Sequence, residues 1–301
     1  MQPVVELRAV TKRYGNFVAV DALSLTIPER QIFGLLGPNG AGKTSTIRMM
    51  IGITSPDSGA VRLFGEPFVR AALRKIGYLP EERGLYRRMT VQANLAFLGQ
   101  LSGLSAGEAI ERARSWAARL QIEGWLGRKV EELSKGMQQK IQFIAAILHD
   151  PALIVMDEPF GGLDPANSMQ LKDVLVDLRA AGKTIVFSTH RMDRVEKLCD
   201  SICLVDRGRV VLEGGLAEIK ASYGRRFVQI DFEGDGAFLS ESNLIESFNH
   251  YGNHAEMRLK AGADSQELLR AAMARLRVRR FQVMEPSLEQ VFIDRVGRRD
   301  E

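Results

Sequence analysis

The chain has 301 residues, a net charge of +4, and 45% hydrophobic against 26% charged residues. This is the mix of a globular chain of one large or two ordinary domains, and so mild a basic excess does not by itself call for nucleic acid or an anionic membrane. Its two cysteines, Cys199 and Cys203, are too few for a disulfide framework, lack the companions a zinc site needs, and point to a reducing compartment. No run nears the ~20 apolar residues of a membrane helix, and "MQPVVELRAV" lacks a signal-peptide layout. A soluble protein is expected, one that can still dock on something in a membrane.

Residues 4–36 read as short strands separated by turns, ending in the buried strand "QIFGLL". A helix pattern runs from Lys43 to near Gly52, "SPDSG" is a loop, and "AVRLFG" and "KIGYLP" read as further strands. From about Thr90 to Asp150 the spacing turns helical and strand formers become scarce, which marks a helical insert. "LIVMDEP" and "TIVFSTH" return to buried strands, "RMDRVEKLCD" reads as a helix and "SICLVDRGRVVLEG" as strand, an α/β pattern of mostly parallel type. Beyond residue 222 "RFVQIDF" alternates strictly, "HAEMRLK" and "RVRRFQVM" fit strands, and "DSQELLRAAMARL" an amphipathic helix. Ser287 and Gln290 in "SLEQVF" stand at capping-box spacing. The expected division is 1–221, with the insert at about 90–150, and a small α+β domain at 222–301.

Three segments carry chemistry. "GPNGAGKT", residues 37–44, follows an apolar strand and opens a helix. Gly40 and Gly42 permit unusual backbone angles, so successive N–H groups can face phosphate oxygens, helped by the helix N-terminus. In this pattern Lys43 reaches the β- and γ-phosphates and Thr44 offers a hydroxyl to Mg²⁺. "LIVMDEP" sets Asp157 and Glu158 at a strand's carboxyl end. Asp157 can hold Mg²⁺ and Glu158 can polarise water, although two acids before a proline can equally be a solvated turn. "LSKGMQQK", residues 133–140, starts a helix with Ser134 as cap and Gly136 leaving the backbone approachable. Met137, Ile141, Ile144 and Leu148 give that helix one stripe to bury. His190 on its own reads as a surface histidine, and Tyr14 as a strand residue.

In this order the segments resemble the nucleotide-binding subunit of ABC transporters, over roughly residues 4–220. "GPNGAGKT" resembles the family's phosphate loop, "LSKGMQQK" its signature, "LIVMDEP" its second nucleotide motif and "GGLD" (161–164) the loop that follows. "STH" places His190 at the switch histidine, and Tyr14 in "TKRYG" falls where the family stacks a ring on adenine. The resemblance implies an α/β fold: a RecA-like P-loop NTPase core with an antiparallel β subdomain and a helical insert, followed by the small C-terminal domain. It implies ATP held by Tyr14 and by Gly37, Pro38, Asn39, Gly40, Ala41, Gly42, Lys43, Thr44 and Ser45. Thr44, Asp157 and Glu81 would hold Mg²⁺, Glu158 would act as base, and His190 would contact the γ-phosphate and align Glu158. Two protomers would pack head to tail, alike or different, with Ser134 and Gly136 closing on the ATP of the other and Asp164 coupling the sites.

Two departures stand out. Lys135 replaces the commoner glycine of the signature, and Glu81 in "YLPEERGLY" stands where most cassettes carry glutamine. "LPEERGLY" and "SLEQVF" further resemble bacterial cassettes serving drug- or sodium-efflux permeases. The implied function is an ATP-hydrolysing subunit that drives a separate integral-membrane permease, in the export direction. It would lie in the cytoplasm, at the inner face of the membrane through that permease, whose cytoplasmic helices would sit in a groove between the core and the helical insert, near Glu81 and "RGLYRRMT". The competing reading is a soluble ABC ATPase on ribosomes or nucleic acid. Only "RLRVRR" (275–280) favours it, and a charge-guarded strand edge explains that run equally; no nucleic-acid partner is expected.

Overall fold

The computed structural model describes residues 3–82, 84–224 and 226–297. They form two compact units, Met1–Gly214 and Gly215–Glu301; the division expected from composition falls a few residues later, at 221/222. The first unit begins with β1 (Pro3–Tyr14), β2 (Phe17–Pro28), β3 (Ile32–Leu36), α1 (Lys43–Met50), β4 (Ser58–Leu63), β5 (Glu66–Pro67) and β6 (Ile76–Leu79). The helical stretch supplies α2 (Val91–Leu101), α3 (Ala106–Arg119) and α4 (Lys135–Ile147). The unit ends with β7 (Leu153–Asp157), α5 (Pro165–Ala180), β8 (Thr184–Thr189), α6 (Met192–Val195), β9 (Ser201–Asp206) and β10 (Arg209–Gly215).

Two sheets result. One runs in the order β2-β1-β4-β5 with antiparallel pairs. The several short strands expected across residues 4–36 are two strands of twelve residues and one of five. The long strands look broken in sequence because they are bulged: register slips occur between Leu7 and Val10, and Ala9 and Ala22 take positive φ angles of 46° and 47°. The other sheet has the order β10-β9-β3-β8-β7-β6, parallel from β6 through β9. Its inner strands β3, β7 and β8 are buried at every residue, as continuous apolar runs flanked on both faces should be. Each fully buried Leu, Ile or Phe here contributes about 1.5–3 kcal/mol. This register brings the carboxyl ends of β3, β7 and β8 side by side, where open α/β sheets carry their ligands.

One element differs from expectation. "RMDRVEKLCD" forms only one α-turn, Met192–Val195, before the chain tightens, and Val195 O accepts from both Leu198 N and Cys199 N. The tightening seats Val195 and Cys199 on Gly34 of β3, where an added Cβ would lie 3.0 Å from Cys199 Sγ.

The second unit contains α7 (Leu216–Tyr223), β11 (Phe227–Glu233), β12 (Ile245–Tyr251), β13 (His254–Leu259), α8 (Ser265–Arg275), β14 (Arg277–Met284) and α9 (Leu288–Gly297). Its antiparallel sheet, in the order β12-β13-β11-β14, buries Val228, Ile230, Phe232, Met257 and Leu259 with Leu268 and Ala272 of α8. Ser287 and Gln290 form the reciprocal cap at the start of α9: Ser287 N donates to Gln290 Oε1 at 2.9 Å, and Gln290 N to Ser287 Oγ at 3.2 Å. β14 is an edge strand, and its Arg277 and Arg279 pair with Glu233. α7 and β12 are the elements that composition did not announce.

Candidate active site

The phosphate loop leaves β3 and enters α1 through three glycines of positive φ: Gly37 at 151°, Gly40 at 80° and Gly42 at 101°. A Cβ on Gly37 would lie 2.1 Å from Val205 O, and one on Gly42 2.4 Å from Ala19 O, so neighbouring strands grip the loop by its backbone. Lys43 is buried and folds back: its Nζ donates to Gly37 O at 2.7 Å and Pro38 O at 2.9 Å. Burial pushes its pKa down, while the nearby carboxylates of Glu158, Asp157 and Glu81 oppose that shift. Ala41 is buried within the loop, and its carbonyl accepts from Gly208 N.

At the end of β7, Asp157 is buried and accepts from the Ser188 hydroxyl of β8 through one oxygen. Its other oxygen, Oδ2, is buried and has no hydrogen-bond partner among the described residues. Glu158 takes a φ of +48° and turns its side chain across to the end of β8. There Oε2 accepts from Thr189 Oγ1 at 3.0 Å, and Oε1 accepts from His190 N at 3.0 Å and His190 Nδ1 at 2.7 Å.

These groups surround one cavity of about 480 Å³. It is lined by Asn39, Gly40, Gly42, Lys43, Thr44 and Ser45 of the loop and α1, by Asp157, Glu158, His190 and Glu81, and by the exposed Tyr14. Phe17 and Ala19 also line it, though sequence reasoning passed over them; the pairing of Phe17 with Tyr14 across a two-residue turn is the signal that could have found them. Gly37, Pro38 and Ala41 shape the loop without lining the cavity. Ser134, Gly136 and Asp164 do not line it either. Ser134 is exposed and caps α4, its Oγ accepting from Met137 N at 3.3 Å. Asp164 is exposed and caps α5, accepting from Asn167 N at 2.8 Å; that bond holds its pKa below the usual carboxylate range.

The sequence pattern of the ABC transporter family matches residues 20–161, and that of the C-terminal domain of DrrA1-3-like ATP-binding proteins matches residues 214–296. The uncharacterized ABC transporter ATP-binding protein YhaQ of Bacillus subtilis is 44% identical over 288 residues, spanning 96% of this chain and 97% of its own. The chain belongs to the ABC transporter ATP-binding protein family. The Nod factor export ATP-binding protein I of Burkholderia lata is 35% identical over 301 residues, spanning 98% of this chain and 97% of its own. A solved dimeric ATP-binding cassette in a post-hydrolysis state, with ADP and Pi bound, superposes with a TM-score of 0.65 at 25% identity, over 70% of this chain and 98% of that one. The fold is thus the ABC cassette form of the P-loop NTPases, and the chain is an ATP-binding ATPase subunit of an ABC transporter. Among the described residues, no helix is long and apolar enough to cross a membrane.

Proposed function

We propose that the cavity holds MgATP as half of a composite site, which a second cassette completes before hydrolysis, and that closure drives a membrane permease in the export direction. The observation that carries this reading is the split of the expected ATP contacts. The phosphate loop, Asp157, Glu158 and His190 share one cavity, while Ser134 stands outside it on an exposed helix start.

On binding, Lys43 Nζ exchanges the carbonyls of Gly37 and Pro38 for phosphate oxygens, and loop N–H groups take the remainder. Thr44, Asp157 and Glu81 would hold Mg²⁺. Hard oxygen donors suit that ion, and the orphaned Asp157 Oδ2 is an oxygen that the ion or its water would satisfy. When bound, Mg²⁺ neutralises phosphate charge. Glu158 orients a water and takes its proton as the water oxygen attacks the γ-phosphorus. The bond to the β–γ bridging oxygen breaks, leaving ADP and Pi. His190 holds Glu158 through Nδ1 and turns its other edge to the γ-phosphate. Tyr14 stacks on the base. Ser134 and Gly136 of the other protomer cover the γ-phosphate, and Asp164 links the two sites.

For the permease, the supporting feature is a groove of about 250 Å³ between β6 and the helices α2 and α4, lined by Ile76, Tyr78, Leu98, Leu101, Gln142 and His149. Gln142 Nε2 donates to Glu82 O at 3.0 Å, tying the groove to the Glu81 segment. Arg83 of "RGLYRRMT" lies outside the described residues. A subunit docked there would place this chain at the inner membrane face. The Burkholderia relative's name, Nod factor export, supports export.

The test is dilution. With ATP saturating, turnover per molecule is expected to fall as protomers separate. Constant turnover in a solution shown to contain only monomers overturns the composite site. Co-purification of a membrane subunit, lost when Leu98 and Leu101 become Asp, tests the groove.

A further inference from the structure

We propose that Phe17 is a second base-contacting side chain, forming with Tyr14 a continuous aromatic shelf for the purine of the bound nucleotide. The inference rests on the reading of this cavity as the ATP site and extends it. Tyr14 and Phe17 flank the two-residue turn of the β1–β2 hairpin and are direct cross-strand partners. Such partners project from the same face with Cβ atoms about 5 Å apart. Both line the cavity, and both are left in solvent, Tyr14 at 45% and Phe17 at 63% exposure. Scattered exposed aromatics need no explanation, but two side by side at the rim of a phosphate-binding cavity make an apolar surface awaiting a flat partner.

The surroundings fit one ligand shape. Lys12 Nζ sits 5.8 Å from the Tyr14 ring centroid and is held by Asp57 and Ser55 O at 2.9 Å, so one ring face is backed. A purine is two fused rings and overhangs a single phenol; Phe17 extends the shelf beside it. Ala19, two residues along the same strand face, lines the cavity with a methyl group and leaves room where a larger side chain would intrude. The shelf is also tied to the phosphate loop. Asp21 N donates to Gly208 O, and Gly208 N to Ala41 O, at 2.9 and 3.0 Å. The distance from shelf to phosphates is therefore set by backbone contacts.

Titration of the full chain with ADP and, separately, with pyrophosphate tests this. Phe17→Ala is expected to weaken ADP, and GDP alike, about tenfold, because stacking is tolerant of base identity. Pyrophosphate affinity and the thermal midpoint stay unchanged, and Phe17→Tyr restores ADP binding. The inference is overturned if Phe17→Ala binds ADP like the parent while Tyr14→Ala weakens it. It is overturned equally if ADP and pyrophosphate weaken together, which would mean a displaced loop. If Lys43→Ala and Tyr14→Ala both retain ADP affinity, the reading of the cavity itself fails and the inference with it.

Discussion

Glu158 and His190 are joined twice: the same carboxylate oxygen, Oε1, accepts from the backbone N–H of His190 at 3.0 Å and from its ring Nδ1 at 2.7 Å. With Thr189 Oγ1 on Oε2, three donors from the end of one strand hold an acid from the end of its neighbour. Because Nδ1 donates to a carboxylate, the ring's Nε2 edge is left for another group. The parallel pairing of β7 with β8 makes this possible, since it sets Asp157 opposite Ser188 and brings the next residues level.

Glu158→Gln therefore keeps the shape of the site but removes the carboxylate proposed as its base. Turnover should fall about 10²–10⁴-fold with ATP affinity retained, and the variant should accumulate as an ATP-bound dimer in light scattering. Normal steady-state hydrolysis would exclude Glu158 as the base.

Lys43 already donates to two carbonyls of its own loop, so its loss leaves the fold a flexible contact short but removes the buried cation proposed to meet the phosphates. Lys43→Ala should lower ATP affinity by about two orders of magnitude, read by equilibrium titration, and retained affinity would undo the phosphate-loop assignment.

Glu81 shares the cavity with Asp157 and Glu158, which makes three carboxylates around one site. Glu81→Gln removes a charged oxygen donor, and the Mg²⁺ concentration for half-maximal ATPase should rise about tenfold. An unchanged Mg²⁺ profile, together with unchanged coupling to the permease, would rule out a role for this carboxylate.

The glycine at position 37 is a requirement of packing. Gly37→Ala sets a Cβ 2.1 Å from Val205 O at a φ of +151°, so backbone must shift. A loss of about 1–3 kcal/mol is expected, read as an earlier denaturant midpoint with an unchanged slope.

In the second unit His254 pairs with Asp231 across β13 and β11, Nδ1 to Oδ1 at 2.5 Å, with Glu256 Oε1 3.5 Å from Nε2. The hydrogen bond to Asp231 raises its pKa from the ordinary 6.5. Its contribution to stability is thus complete below about 6.5 and is lost as pH rises through the raised value. Hydrogen exchange, corrected for the intrinsic pH dependence of exchange, should show β11 and β13 opening more readily above the raised value than below pH 6.5, and His254→Gln should flatten that dependence. A parent profile as flat as the variant's would disprove the linkage.

Much of this was legible because the parts concerned are local. A glycine-rich turn between an apolar strand and a helix, and two acids closing an apolar run, state both their conformation and their chemistry. The parallel sheet follows from runs too uniformly apolar to face water. The bulges at Ala9 and Ala22 were not legible, since alanine carries no preference for positive φ and the slips are imposed by partner strands. β12 escaped because only Ile245 in it is buried. Phe17 escaped for the opposite reason: a phenylalanine in an alternating strand reads as core, and only the hairpin's register turns it toward the cavity. The Glu158–His190 contact was expected from the resemblance alone, because it joins residues 32 apart and exists only once the two strands are neighbours.

The backbone of Glu158 stands at φ +48°, a region that residues with a Cβ enter at a penalty. Glycine there would relieve the backbone but forfeit the three hydrogen bonds that tie the carboxylate to Thr189 and His190. Strain and hydrogen bonding thus oppose each other at this one position, so any effort to harden this protein has to follow turnover at the same time.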